Sequence, residues 1–170
     1  MGVAVFFGSG KLSDSDKIYQ ATCLAAKQIA AKGYDIASGG YGGVMEASLR
    51  GALDFPVKRI GVTCDLFSSR VPNDFLSDEI KTKNYFERLE ILIDLGDIFI
   101  AMEGESGTLL EVAAIMAFSE REFIEDRKLI LFGNRWQSIF NDFAMYSNMQ
   151  GVYYCENILG FNEILSDIIN

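Results

Sequence analysis

The chain has 170 residues, 49% of them hydrophobic, which is enough for one core, so we expect a single domain over residues 1–170. Fifteen Lys and Arg against 24 Asp and Glu leave a net charge of -9 with no visible basic patch, which argues against nucleic acid as a partner. No apolar run reaches bilayer length and the N-terminus lacks signal-peptide features, so we predict a cytoplasmic protein with no membrane partner.

Apolar strands alternate with amphipathic helices through the first half of the chain. "VAVFF" (3–7) predicts a buried strand, and the spacing of apolar residues over 14–32 predicts a helix with Ser13 as a candidate cap and Gly33 as a candidate stop. Next come the strands 34–38 and 59–63 and, between them, a short helix over 44–53. Residues 64–79 are polar and contain a Pro-Asn pair, which predicts a loop.

The same alternation continues to the C-terminus. We predict helices over 82–95, 107–119, 136–146 and 161–169, and strands over 97–101, 128–132 and 152–155. Near-continuous apolar strands interleaved with helices are typical of a parallel sheet covered on both faces. The sequence therefore predicts an α/β fold with a doubly wound, mostly parallel sheet, Rossmann-like, in a single three-layer domain.

Three stretches follow strands at the edge where such sheets bind ligands, namely 8–15, 39–43 and 102–111. The second contains four glycines within five positions: Gly39, Gly40, Gly42 and Gly43. By itself this stretch is equally consistent with a plain turn and with a bare backbone that receives a phosphate at a helix N-terminus.

The third loop leads into a helix with two polar side chains on one rim. Thr108 and Glu111 are one helical turn apart, next to Gly104 and Gly107, so they point toward the same edge. A simpler alternative is that Thr108 caps its helix and Glu111 favours the positive end of the helix dipole.

These stretches resemble motifs of the Lonely Guy (LOG) family, Rossmann-like nucleotide-processing proteins that carry the older name "possible lysine decarboxylase". "SGGYGGVME" (38–46) is similar to the family's G-G-G-x-x-G-L-M-G, and "EGESGTLLE" (103–111) is similar to P-G-G-x-G-T-x-x-E. "YFERL" (85–89) keeps Arg88 of the family's M-H-x-R-K, and "FFGSG" (6–10) resembles F-C-G-S-S.

The resemblance implies hydrolysis of the N-glycosidic bond of a nucleoside 5'-monophosphate, which releases the base and ribose 5-phosphate. It implies Arg88 and Glu111 as the catalytic pair, and as substrate- or phosphate-binding residues Gly8, Ser9, Gly39, Gly40, Gly42, Gly43, Met45, Gly104, Gly107 and Thr108. The partner would be a small-molecule nucleotide. No metal, flavin, nicotinamide or pyridoxal phosphate is implied as a cofactor. The sequence has no histidine, and its three cysteines are too widely spaced for a zinc knuckle or a disulfide framework.

Four departures from the motifs favour an alternative function. Glu103, Glu105, Phe86 and Leu89 stand where the family has Pro, Gly, His and Lys. Two added carboxylates would repel a nucleotide by an amount that depends on their exposure. The alternative is a non-catalytic nucleotide or phosphorylated-ligand binding or carrier protein of the same fold.

Three further residues remain open from the sequence. Arg88 alone could be an exposed helix charge paired with acidic neighbours. Tyr41 could stack on a base or could be an ordinary loop aromatic. Glu46 stands where the LOG motif has Gly and has no assignable role.

Two helices carry more apolar residues than contact with one sheet requires. They are the predicted helices 82–95 and 107–119, which include "LEILI" and "LLEVAAIMAF". We therefore predict a homodimer packed through these helices, as the family resemblance also implies.

Overall fold

A seven-stranded parallel sheet forms the centre of the molecule, in the strand order β4-β3-β2-β1-β5-β6-β7. The computed structural model describes residues 2–121, 123, 126–142 and 150–169. Its strands are β1 Val3–Phe7, β2 Asp35–Ser38, β3 Arg59–Cys64, β4 Asp78–Thr82, β5 Ile98–Ala101, β6 Lys128–Phe132 and β7 Val152–Cys155. Its helices are α1 Lys17–Ala31, α2 Val44–Gly51, α3 Tyr85–Leu95, α4 Ser106–Glu120, α5 Asn134–Asp142 and α6 Ile158–Ile168, and a short 3-10 turn covers Asp65–Phe67.

Helices cover both faces of the sheet, and alternate strand residues feed two cores. On β1, Ala4 and Phe6 belong to the core that is shared with α1, α2 and α6. Val5 and Phe7 belong to the core that is shared with α3, α4 and α5. All four of these side chains are buried, which explains the unbroken apolar run of this strand. The predicted three-layer Rossmann-like fold is confirmed.

The strand order reverses between β1 and β5, and the loops after these strands meet at that point. The Ser9 N–H donates to the Glu103 carbonyl at 3.4 Å, and the Val44 N–H donates to the Ser9 carbonyl at 2.9 Å. The loops after β1, β2 and β5 are therefore tied together at the carboxyl edge of the sheet, where doubly wound folds bind ligands.

Two predictions of local structure were wrong. The predicted loop 64–79 contains the 3-10 turn and runs into β4, an edge strand that is mostly exposed and so lacks the apolar run that marks a buried strand. The first helix begins at Lys17 after Asp16, and Ser13 is no cap: its N–H and hydroxyl donate to the Asp16 carboxylate.

Some other limits of the predicted elements agree with the structure, and some are shifted by two or three residues, as at the start of α6, which begins at Ile158 where the prediction began at 161. Gly33 follows α1 with a φ of 85°, as a residue that ends a helix often does. Asn84 caps α3 by accepting hydrogen bonds from the Phe86 and Glu87 N–H groups, so the predicted helix 82–95 begins at Tyr85.

Residues 143–146 of the predicted helix 136–146 lie outside the described residues. The single domain over 1–170 stays a prediction. Within the described ranges, no helix is long and apolar enough to cross a membrane.

Candidate functional site

A cleft of about 260 Å³ opens at the carboxyl edge of the sheet, beside the point of strand reversal. It is bordered by the loop after β1, the first turns of α2, α3 and α4, and the loop that follows β3. The residues that line it are Gly8, Gly10, Lys11, Met45, Phe67, Arg70, Tyr85, Arg88, Glu105, Gly107, Thr108 and Glu111.

Arg88 and Glu111 form a buried ion pair at the base of the cleft. Arg88 Nη1 lies 3.8 Å from Glu111 Oε1, and the two residues are only 5% and 7% exposed. Arg88 Nε donates to the Val62 carbonyl at 2.7 Å, and Nη2 lies 3.7 Å from Met45 Sδ. The interpretation of Arg88 as an exposed helix charge is wrong, because the side chain is fixed between α3, β3 and α2.

Three aromatic rings surround the Arg88 guanidinium. Its Cζ lies 6.0, 5.8 and 5.9 Å from the ring centres of Tyr41, Phe67 and Tyr85, within reach of a cation–π interaction. The Tyr41 hydroxyl accepts from the Cys64 N–H at 2.9 Å and donates to the Cys64 carbonyl at 3.1 Å. Tyr41 is 4% exposed, so it supports Arg88 from below and offers no ring face for a stacked base.

Burial changes the acidity of Glu111. Desolvation raises the pKa of this carboxyl from 4.5 to about 7, and the charge of Arg88 opposes the rise only in part. Tyr85 responds to the same surroundings, since burial and the nearby Glu111 charge raise the pKa of its phenol while Arg88 lowers it. Glu111 can therefore exchange a proton near neutral pH, or bind a ligand either as a donor or as an acceptor.

Close backbone packing explains the glycines of the loop after β2. A Cβ on Gly39 would overlap the Arg88 guanidinium, and one on Gly43 would overlap the Ser9 carbonyl, while Gly43 also has a φ of 68°. Gly40 and Gly42 belong to the same turn, and none of the four glycines lines the cleft. The dense glycines allow three loops and one arginine to pack together, which agrees with the turn interpretation.

The first turn of α4 borders the cleft. Its first helical hydrogen bond is donated by the Leu109 N–H to the Glu105 carbonyl, so the N–H groups of Gly107 and Thr108 precede the helical ladder. Both residues line the cleft. Gly104 packs against Thr108 and the Ser9 N–H. Because Glu105 holds the capping position, the interpretation of Thr108 as the helix cap is wrong.

The structure brings together half of the residues that were predicted for the site. The cleft is lined by the predicted residues Gly8, Met45, Arg88, Gly107, Thr108 and Glu111. The others lie in the supporting loops: Ser9, Gly39, Gly40, Gly42, Gly43 and Gly104.

The four departures from the LOG motifs have different positions. Glu103 turns away from the cleft, and its Oε1 accepts from the Arg135 N–H at 3.1 Å. Glu105 lines the cleft. Phe86 is 77% exposed and lies with Leu89 on the outer side of α3. The family's His and Lys therefore have no counterpart in this cleft.

Glu46 also lies outside the lining of the cleft. It accepts a hydrogen bond from the Tyr19 hydroxyl at 2.6 Å, and Arg50 donates to the same hydroxyl at 3.4 Å. Its role is to join α2 to α1, which the sequence pattern did not indicate.

Two cations at the cleft were missed from the sequence. Lys11 lies in the loop after β1, and the Arg70 Cζ lies 5.0 Å from the Phe67 ring centre and 5.9 Å from that of Tyr41. In the sequence, Lys11 and Arg70 are marked only by their positive charge within predicted loops, which does not by itself indicate a ligand site. In the part of the chain that the structure describes, no group of acidic or cysteine side chains could hold a metal ion.

The fold and cleft define a class: a Rossmann-like protein with a cleft at the switch point of its sheet. The chain belongs to the SLOG cluster4 family, whose model matches residues 1–156. This finding confirms the LOG-like family that the glycine motifs predicted. An uncharacterised protein of Archaeoglobus fulgidus is 29% identical over 116 residues, which are 67% of this chain and 73% of that protein.

Solved structures of similar fold include two groups. The molybdenum cofactor binding protein of Rippkaea orientalis matches with a TM-score of 0.76 and 22% identity, over 99% of this chain and 96% of that one. The molybdenum cofactor carrier protein of Chlamydomonas reinhardtii gives 0.74 and 18%, over 99% and 98%. DNA processing protein A of Helicobacter pylori gives 0.64 and 16%, over 98% and 81%. At these identities the likeness establishes the fold.

Proposed function

We propose that this chain is a non-catalytic binding or carrier protein for a phosphorylated small molecule, held in the cleft between α3 and α4. The names of the Rippkaea and Chlamydomonas proteins support a carrier role, because both are described as binding or carrying the molybdenum cofactor. That cofactor is accordingly the first ligand to test.

The contacts and the burial of Arg88 are the main support for this proposal. The guanidinium is occupied by the Val62 carbonyl, the Glu111 carboxylate and three aromatic rings, and it is almost fully buried. An arginine held in this way positions Glu111 and is not free to reach out and clamp a phosphate or a leaving group. The cations that remain for a ligand are Lys11 and Arg70, at the mouth of the cleft.

The backbone donors of α4 complete the phosphate subsite. Gly107 and Thr108 line the cleft at the positive end of a helix of 15 residues, where their N–H groups precede the helical ladder. Together with Lys11 and Arg70 they offer donors of both kinds, backbone and charged, which suits a phosphate monoester.

Hydrolysis is the second candidate, and one observation favours it. The Glu111 carboxyl has a pKa of about 7, in the range that suits a general acid or base, and Arg88 lies beside it. In this case Glu111 would stabilise an oxocarbenium-like ribosyl group and orient water, with cleavage of a nucleoside 5'-monophosphate to base and ribose 5-phosphate.

One experiment separates the two functions. The protein is incubated with a panel of nucleoside monophosphates and with the molybdenum cofactor, and both the melting temperature and the release of free base are followed. A carrier raises its melting temperature with ligand concentration and leaves every ligand intact. Release of base that falls by roughly 10² or more in Glu111→Gln, with affinity retained, would establish the hydrolase instead.

We further propose a homodimer packed through α3 and α4. Phe86 and Phe123 are 77% and 70% exposed, and with Phe118 they border a groove of about 380 Å³ on the outer side of these helices. Leu109 and Leu110 add exposed apolar surface to α4. Light scattering at micromolar concentration tests the dimer, and a monomer would contradict it.

Two expectations about the surroundings of the protein stay predictions. The three cysteines are free thiols, as expected for a cytoplasmic location. The net charge of -9 continues to argue against a nucleic acid partner, although the Helicobacter protein of similar fold is described with a single-stranded DNA binding mode.

A further inference from the structure

Glu105 brings a negative charge to the place where the proposed phosphate subsite has its donors. Its Oε1 lies 3.4 Å from Lys11 Nζ and accepts from the Ser9 hydroxyl at 3.2 Å. The Lys11 N–H in turn donates to the Ser9 hydroxyl oxygen at 3.3 Å. One carboxylate therefore engages a cation and a hydroxyl of the loop after β1, across the mouth of the cleft.

The backbone position of Glu105 places this carboxylate at the entrance of α4. Glu105 is the capping residue of the helix, yet its side chain makes no capping hydrogen bond with the first turn. It reaches instead to the loop after β1, whose Ser9 N–H also bonds to the Glu103 carbonyl at 3.4 Å. Glu105, Lys11, Gly107 and Thr108 all line the same cleft, so the Glu105 carboxylate and the donors of the proposed subsite share one opening.

We propose that Glu105 is an internal competitor for the phosphate of the ligand. A phosphate that binds the α4 donors and Lys11 must displace the Glu105 carboxylate from Lys11 and Ser9, and it then lies close to a like charge. This inference rests on the proposed function and deepens it. Free phosphate, which has no other contacts, is held weakly, while a larger phosphorylated ligand overcomes the competition through contacts with the rest of the cleft.

Glu103 provides a matched control, because it has the same charge and lies two residues away. Its carboxylate contacts the Arg135 N–H and Gly133 and does not line the cleft. Glu103→Gln and Glu105→Gln change the net charge equally, so only a local effect of the cleft carboxylate can separate them. Neither substitution alters the buried Arg88–Glu111 pair.

The test measures the affinity of the full chain for inorganic phosphate and for AMP by calorimetry at low ionic strength. Glu105→Gln is expected to bind inorganic phosphate roughly three- to tenfold more tightly than the parent, a modest gain because the Glu105 and Lys11 side chains are 51% and 79% exposed. Glu103→Gln is expected to match the parent, and the gain in Glu105→Gln is expected to shrink as salt is added and in the double variant that also carries Lys11→Met.

Each contrary result has its own meaning. Equal affinities of Glu105→Gln and the parent would overturn the competitor while leaving the phosphate subsite intact. An equal gain in Glu103→Gln would assign the effect to net charge and would also overturn it. If none of the variants binds phosphate or AMP, and their thermal unfolding shows that they are folded, both this inference and the phosphate subsite fail.

Discussion

Glu111→Gln should change the pH dependence of stability in a defined direction. The buried carboxyl has a raised pKa in the folded chain, so the folded state disfavours its ionised form. The protonated Glu111 carboxyl contributes most to stability at pH values below the pKa that it has in the unfolded chain. This contribution is lost as the pH rises through the higher pKa that it has in the folded chain. Gln keeps the size of the side chain and cannot ionise, so the free energy of unfolding of the variant does not fall in this way as the pH rises.

The magnitude follows from the two pKa values. A carboxyl whose pKa moves from 4.5 to about 7 on folding lowers the free energy of unfolding by about 3 kcal/mol between acidic and mildly alkaline pH. Most of the change falls between these two values. The attraction between Arg88 and the ionised carboxylate is already contained in the folded pKa, because the Arg88 charge opposes the rise caused by burial.

Urea unfolding of both proteins at about pH 4, 6 and 8 measures the effect. The difference between the free energies of unfolding should shift by about 3 kcal/mol in favour of the Gln variant from the lowest to the highest pH. Glu163→Gln, which changes an exposed carboxylate on α6, is the control and should follow the parent. A difference between Glu111→Gln and the parent that does not vary with pH would refute the reasoning.

Three further predictions concern packing, assembly and ligand binding. Gly39→Ala should destabilise the fold by about 1–3 kcal/mol in urea unfolding, because its Cβ would overlap the Arg88 guanidinium. Gly42→Ala, whose Cβ would lie 3.5 Å from the Gly10 carbonyl oxygen, should be tolerated, and equal losses would contradict this account of the loop. Phe86→Glu should convert the proposed dimer to a monomer in light scattering, whereas Leu159→Glu on α6, with 71% exposure, should not; a dimeric Phe86→Glu would exclude this interface. Arg70→Ala should weaken the binding of a phosphorylated ligand by roughly tenfold in calorimetry, and unchanged affinity would remove Arg70 from the subsite.

The sequence predicted those parts of the fold in which local pattern and burial agree. The strands β1 and β6 are buried on both faces and read as unbroken apolar runs. β4 was missed because an edge strand with the sequence "DEIKT" has one neighbouring strand and a mostly exposed surface. A local sequence pattern reveals a strand through its buried apolar residues, and an exposed edge strand has few of them.

The site was predictable only where a motif linked distant residues. The resemblance placed Arg88 and Glu111 together, and the structure joins them at 3.8 Å, although helical spacing alone left Arg88 as a surface charge. Two contacts could not be predicted from the neighbouring residues in the sequence. They are the packing of Gly39 against Arg88 and the ion pair between Glu105 and Lys11. Both depend on how loops far apart in the chain meet at the edge of the sheet.

Binding without cleavage is the central claim, and phosphorus NMR tests it most directly. The protein is mixed under anaerobic conditions with each of a set of phosphate monoesters that includes a nucleoside monophosphate and the molybdenum cofactor. We expect the phosphorus resonance of at least one ligand to shift or broaden, with the intact ligand recovered after prolonged incubation. A growing ribose 5-phosphate resonance, absent in Glu111→Gln, would contradict the carrier function and establish the hydrolase.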